Sequence, residues 1–178
     1  MAGRSFILTG TPGSGKTALL RRLEVAGHAV VEEAATDVIA LQQALGVDEP
    51  WRDPAFLDRI VALQRARQLA AGPGLVFFDR SPVCTLALSR HLGLPAPPRL
   101  LAELDRIRAC VYEPTVFFVR NLGFVEPTAA RRISYEDALS FERLHEEAYL
   151  AAGFTLVDVP AAPLEERAAL VRGFVVGP

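Results

Sequence analysis

The chain has 178 residues, 51% of them hydrophobic, a formal net charge of -2 and a pI near 5.9. This length and apolar fraction suit a single domain spanning residues 1–178, and the charge balance offers no footprint for nucleic acid or an anionic membrane. Cys84 and Cys110 form neither a disulfide framework nor a metal-ligand spacing, no apolar run reaches membrane-span length, and the chain enters its first strand too early for a signal peptide; a cytoplasmic protein is expected.

Residues 5–9 read as a short buried strand. They run into Gly10-Thr11-Pro12-Gly13-Ser14-Gly15-Lys16-Thr17, which satisfies the phosphate-binding pattern G-x-x-x-x-G-K-[ST]. A helix is predicted from Lys16, with Gly27 to close it. In a strand–loop–helix of this kind, glycines let backbone N–H groups approach an anion at the positive end of a helix. Lys16 would reach the β- and γ-phosphates of a nucleoside triphosphate, read here as ATP, and the Thr17 hydroxyl would ligate Mg²⁺. Lys16 is the only lysine in the chain, and Arg stands wherever else a Lys or Arg occurs. The one compact ammonium therefore stands where a guanidinium fork would crowd the phosphates.

A second strand is predicted over 28–32, then a helix running to about Gly46. Asp53-Pro54 reads as the N-cap and first residue of a third helix. Phe56, Leu57, Ile60, Val61, Leu63 and Leu69 form its apolar stripe, and Gly72-Pro73-Gly74 ends it. Residues 75–78 are a continuous apolar run, the pattern of a strand buried on both faces, and they deliver Asp79-Arg80-Ser81 at its carboxyl end. Helices over 82–91 and 99–110 follow, then a strand over 115–119 and an irregular stretch to 133. A capping box at Ser134 and Asp137 opens the next helix, followed by a strand over 154–159 and a closing helix over 163–171. Such alternation gives an α/β fold: a parallel sheet with helices on both faces and ligands outside the carboxyl ends of its strands.

Several positions on that edge carry chemistry. Asp79 is in place to bind Mg²⁺ with Thr17. Either Glu33 or Glu32, at the end of the second strand, can take a proton from a hydroxyl aligned with the γ-phosphate. Arg131 and Arg132, on a lid segment over about 121–134, can fold over bound phosphates and neutralise charge in the transition state. Arg80 is a substrate-side candidate and Arg120 a lower-ranked one. The histidines show no metal or triad spacing and are expected on the surface or on helix faces; the acidic run 142–147 reads as a solvated face. Gln64, Arg65, Arg67 and Gln68 lie opposite or beside the apolar stripe of their helix; a solvent face is the default expectation for them, with the acceptor pocket as the alternative for some. A Ras-like GTPase is hard to support, because its guanine-reading Asn-Lys-x-Asp needs a lysine and the only one is Lys16.

The chain resembles the small P-loop proteins labelled AAA-type ATPase-like, related to the ribosylnicotinamide kinase domain of bacterial NAD-regulator proteins, and more distantly thymidylate and deoxynucleoside kinases. The resemblance runs nearly end to end. It is carried by the phosphate loop, Val30-Val31-Glu32-Glu33-Ala34-Ala35, Phe77-Phe78-Asp79-Arg80, Arg131-Arg132-x-Ser134-Tyr135-Glu136-Asp137-Ala138, and Ala148-Tyr149 before Gly153-Phe154. It implies a P-loop three-layer sandwich with a five-stranded parallel sheet in the order 2-3-1-4-5. It also implies Glu33, rather than Glu32, as the base, Asp79-Arg80-Ser81 as the acidic-Arg-Ser motif, and Arg131 and Arg132 as lid arginines. Many relatives carry Arg after the Glu-Ala-Ala step, where this chain has Thr36, so no acceptor is carried over. The expected function is ATP-dependent transfer of the γ-phosphate to a hydroxyl of a small, nucleoside-like molecule, with a homodimer left open. The competing expectation is a nucleotide-binding regulatory ATPase module that acts through a protein partner.

Overall fold

The continuous apolar runs of the chain are its central strands, sandwiched between helices. A computed structural model describes residues 3–123 and 135–176. Its elements are β1 (Arg4–Thr9), α1 (Lys16–Val25), β2 (Ala29–Val31), α2 (Ala34–Ala44), a 3-10 turn (Pro50–Arg52), α3 (Phe56–Ala70), β3 (Leu75–Asp79), α4 (Pro82–His91), α5 (Pro98–Cys110), β4 (Thr115–Val119), α6 (Tyr135–Ala151), β5 (Thr155–Val159) and α7 (Leu164–Val176). The strands are all parallel and ordered β2-β3-β1-β4-β5, as the resemblance implied. β1 is central, with Leu8 beside Asp79 and Thr9 beside Phe118. Parallel strands end on one edge, so the segments after β1, β2, β3 and β4 leave from the same side of the sheet.

Side chains alternate across each strand and build two cores. Phe6, Leu8, Phe77 and Phe117 pack against Leu19, Leu20 and Leu23 of α1 and Val171 and Val175 of α7. Ile7 and Val116 face the other way, toward Val83 and Ala87 of α4, Ile107 of α5 and Phe141 and Tyr149 of α6. A third cluster, Ala34, Val38, Phe56, Leu57 and Ile60, joins α2 to α3. Among the described residues no helix is long and apolar enough to cross a membrane.

Most boundaries fall within one or two residues of the sequence expectations, and the larger departures are in α3 and α7. α3 begins at Phe56 rather than Pro54, because the chain rounds Asp53 in a tight turn: Asp53 N donates to Pro50 O at 3.1 Å, and Phe56 N to Asp53 O at 2.9 Å. Asp53 still caps this turn, its carboxylate accepting from Ala55 N at 2.8 Å and from Arg59 at 2.7 Å. Those two bonds hold the acid below its ordinary range. Leu69 is 65% exposed, so the buried stripe of α3 stops short of it. α7 continues past 171 to Val176, bringing Val175 into the core. Ser134, the expected cap of α6, lies outside the described residues.

Candidate active site

The turn from β1 into α1 adopts conformations that glycine takes at least cost: Gly10, Gly13 and Gly15 have φ of 139°, 83° and 76°. At Gly10 space is also limiting, since a Cβ there would come 2.2 Å from Val119 O. Lys16 is 5% exposed and folds back on the loop, its Nζ donating to Thr11 O at 3.0 Å and to Ser14 Oγ at 3.5 Å. α1 opens with no side-chain cap and no acidic residue in its first turn. Its orphan N–H groups and positive dipole end are therefore directed at the loop. Thr17 lies exposed in that turn, and the buried Asp79 ends the strand next to β1.

Among the described residues, no group of three or more His, Cys, Asp and Glu is gathered at one place. One hydroxyl and one carboxylate beside an anion-binding loop is a donor set that suits Mg²⁺, which takes one or two protein oxygens and completes its shell with phosphate and water.

Immediately after Asp79 the chain turns sharply. Arg80 has φ 71°, the one positive φ outside glycine among the described residues, a conformation that costs a non-glycine residue roughly 1–3 kcal/mol. Its own N–H extends the sheet, donating to Leu8 O at 2.9 Å. The side chain, 7% exposed, is ion-paired through Nε with Glu33 Oε1 at 2.7 Å, and its Nη1 donates to His145 Nε2 at 2.8 Å. Burial works against the charge, but Glu33 foremost and Asp79 outweigh it, so the guanidinium is held above its ordinary range. His145 is wholly buried, and burial, then Arg80, hold its imidazole well below the usual pKa. A neutral ring is what the hydrogen bonds require: Nε2 accepts from Arg80 while Nδ1 donates to Phe141 O at 2.8 Å.

Ser81 caps α4 by accepting from Val83 N at 3.2 Å, and its hydroxyl lies 2.8 Å from Tyr149 Oη. Tyr149 Oη is in turn 3.1 Å from Cys84 Sγ, which is 3.2 Å from Thr9 Oγ1. This buried chain ties β1, α4 and α6 together, and burial, followed by Cys84, pushes the phenol well above its ordinary value. The Asp79–Ser81 turn is thereby clamped from below.

Glu33 is the N-cap residue of α2. Its backbone is fixed by Arg67 of α3, whose Nη1 donates to Glu32 O at 3.0 Å and Glu33 O at 2.9 Å. Its carboxylate receives Arg80 on one oxygen and the Thr36 hydroxyl, at 3.1 Å, on the other. Glu32 points elsewhere and pairs with Arg21 on the exposed side of α1. Glu33, Arg80 and Thr36 open onto a cavity of about 330 Å³, which Pro12 of the phosphate loop also lines. Its walls are mostly apolar and aromatic, with Ile39, Trp51, Phe56, Leu88 and Phe141 among them. Gln64 enters from α3, its carbonyl accepting from Thr85 Oγ1 at 3.0 Å.

The structure thus brings the loop, Glu33, Asp79 and Arg80 to one edge. Arg131, Arg132 and most of the lid segment fall in 124–134, outside the described residues. Other expectations need correction. His145 lies on a helix face, as one of the two expectations had it, but on the inner face of α6, where it is the buried partner of Arg80 rather than a surface residue. The run 142–147 is not simply solvated, because Glu142 and Glu146 pair with Arg120, which also binds Asp158. That network occupies Arg120 away from the cavity. Of the four polar residues of α3, Gln64 takes the pocket alternative rather than the solvent default, and Gln68 accepts from Arg106. His145 and Tyr149 had a readable signal, since Phe141, His145 and Tyr149 recur at a spacing of four on one helix face. Arg67 stood out only as one of four polar residues on its helix, and Thr85 had no signal.

A family model described as an AAA domain matches residues 5–167. No curated protein matches the chain. Among solved structures, thymidylate kinase from Candida albicans is similar at a TM-score of 0.63 and 10% identity, over 98% of this chain and 92% of that one. Deoxyadenosine kinase from M. mycoides matches at 0.61 and 14%, covering 97% and 98%. Thymidylate kinase from Ehrlichia chaffeensis matches at 0.63 and 14%, covering 99% and 100%. The sheet order and these likenesses give the chain a P-loop kinase-like fold.

Proposed function

The chain belongs to the AAA domain family, and from that premise we propose that it is an ATP-dependent phosphotransferase, moving the γ-phosphate of Mg-ATP to the hydroxyl of a small, nucleoside-like molecule. The observation that carries this reading is that Pro12 of the phosphate loop and the Glu33 carboxylate line the same cavity. A hydroxyl compound seated there has the loop on one side and a fixed carboxylate on the other.

In this reading the acceptor oxygen attacks the γ-phosphorus, the bond to the β-phosphate oxygen breaks, and the hydroxyl proton passes to Glu33. Lys16 and the backbone N–H groups that follow Pro12 in the loop hold the triphosphate. Thr17 and Asp79 would hold Mg²⁺, which supplies charge neutralisation at the β- and γ-oxygens when bound. Arg80 and Thr36 keep the Glu33 carboxylate in one orientation, and Arg131 and Arg132 act from the lid over 121–134. The domain is taken as one unit over residues 1–178.

The shape and charge of the cavity support the acceptor class. Trp51, Phe56 and Phe141 suit a flat ring, and Gln64, Thr85 and His91 supply polar contacts within a mostly apolar wall. Arg80 is the one Arg or Lys among the described lining residues, and Glu33 already balances it. Thr36 stands where a second cation would be needed for an acceptor phosphate. These features favour an uncharged hydroxyl compound over its phosphate ester. A screen of γ-phosphate transfer over nucleosides and their 5′-monophosphates tests this: phosphorylation of a nucleoside is expected, and transfer confined to monophosphates would contradict the assignment.

A further inference from the structure

Arg167 is buried at 3% exposure although it sits in the second turn of α7, within the polar stretch Glu165-Glu166-Arg167. Its Nη2 donates to Ser14 O at 2.6 Å, and its Nη1 lies 2.8 Å from where a Cβ on Gly15 would stand. Among the described residues no carboxylate pairs with it and its Nε has no hydrogen-bond partner. Burial accordingly lowers its pKa from the ordinary arginine value with nothing offsetting the shift. A buried guanidinium bound to one carbonyl is expensive, and it lies against the loop that the sequence assigns to an anion.

The carbonyl it holds explains what such a contact does. A trans peptide is planar, so the C=O of Ser14 and the N–H of Gly15 point in opposite directions. Fixing the carbonyl toward α7 fixes the Gly15 N–H away from α7, on the side where the loop would take phosphate. Gly15, at φ 76°, can rotate about its backbone at little cost, so the peptide plane has no strong orientation of its own. The cation also polarises the peptide, which strengthens the N–H as a donor. Arg22 and Glu165, paired at 2.7 Å, brace α1 against α7 and hold Arg167 at that height.

We propose that Arg167 is a positioning residue for the phosphate loop, locking the Ser14–Gly15 peptide so that the Gly15 N–H faces bound phosphate and making nucleotide affinity depend on the last helix. The inference rests on the phosphate-binding reading of the loop and is independent of the acceptor. Calorimetric titration of the full chain with Mg-tripolyphosphate, and separately with adenosine, tests it on the wild type, Arg167→Met and Arg167→Ala. Arg167→Met leaves no orphaned carboxylate, so the fold is expected to tolerate it. Tripolyphosphate affinity should fall about tenfold to a hundredfold, the worth of one charge-assisted donor, while adenosine binding stays unchanged. Guanidinium at tens of millimolar should restore much of the loss in Arg167→Ala, and sodium chloride at equal concentration should not. Should both variants fail to fold, Arg167→Lys carries the test, with a loss of about threefold or more for tripolyphosphate alone. Unchanged tripolyphosphate affinity, or an equal loss for adenosine, overturns the lock. Failure of the wild type to bind tripolyphosphate overturns the phosphate-loop reading itself.

Discussion

One unbroken stretch, Gly10 to Thr17, makes the phosphate loop, whereas the walls of the neighbouring cavity come from residues as distant as Pro12 and Phe141. The loop is a backbone device: three glycines at positive φ, a helix start without a side-chain cap, and one lysine. The cavity is a side-chain device, in which α2, α3, α4 and α6 each lend a group and none has a fixed spacing to the others. A backbone site asks for residue types at set intervals. A side-chain site asks only that the fold deliver them, and many sequences can satisfy that.

The largest expected effect lies on the backbone side. Lys16→Ala should lower ATP turnover by about a thousandfold or more and abolish tight Mg-ATP binding, with the far-ultraviolet circular dichroism unchanged. Loss of both with a collapsed fold would mean that Lys16 is structural, and would blur the distinction between the two regions.

On the cavity side, Glu33→Gln should cost roughly 10²–10⁴ in kcat and leave ATP affinity nearly untouched, since Arg80 and Thr36 can still hold the amide. Glu32→Gln is the internal control. It breaks only an exposed pair with Arg21, so steady-state kinetics should barely change. The reverse pattern would assign the proton transfer to Glu32 instead.

A third comparison concerns stability. Gly10→Ala drives a methyl into Val119 O and should destabilise by about 3 kcal/mol or more, read by urea unfolding. Gly27→Ala, also at positive φ but with nothing within 4 Å, should cost only about 1 kcal/mol. Equal losses would show that φ alone, not the closeness of β4, constrains the loop.

The smallest effect is a pH slope. His145 has its folded pKa depressed below the ordinary 6.5 by burial and Arg80. Between those two values the unfolded chain binds the extra proton, so stability is full above about pH 6.5 and falls as the pH drops toward the folded value. The slope contributed is at most about 1.4 kcal/mol per pH unit. His145→Gln should flatten unfolding stability between pH 6.5 and 5 relative to the wild type; an unchanged slope would remove His145 from the buried network.

This contrast also accounts for what the sequence disclosed. The loop, the five strands and their parallel arrangement were legible because they rest on local patterns: a motif at fixed spacing, and apolar runs such as Leu75-Val76-Phe77-Phe78. Glu33 and Asp79 were legible because both sit at strand ends. Gln64 was legible only as one of a set, because its helix carries Gln64, Arg65, Arg67 and Gln68 together, and only the packing of α3 against α4 turns this one toward the cavity. His145 sat among acidic neighbours that made its turn look solvated. Arg167, 153 positions beyond Ser14, is joined to the loop only through the packing of α7 on α1.

The central claim is that the cavity beside the loop receives a hydroxyl compound and that Glu33 takes its proton. Single-turnover reactions with γ-labelled ATP, in the presence of the nucleoside that most increases ATP consumption, measure it directly by the partition of label between that nucleoside and inorganic phosphate. Most of the label should appear on the nucleoside hydroxyl in the wild type, and the transfer rate should fall at least about a hundredfold in Glu33→Gln. Label released only as inorganic phosphate, at a rate indifferent to every nucleoside and to Glu33→Gln, would contradict the account and favour a regulatory ATPase instead.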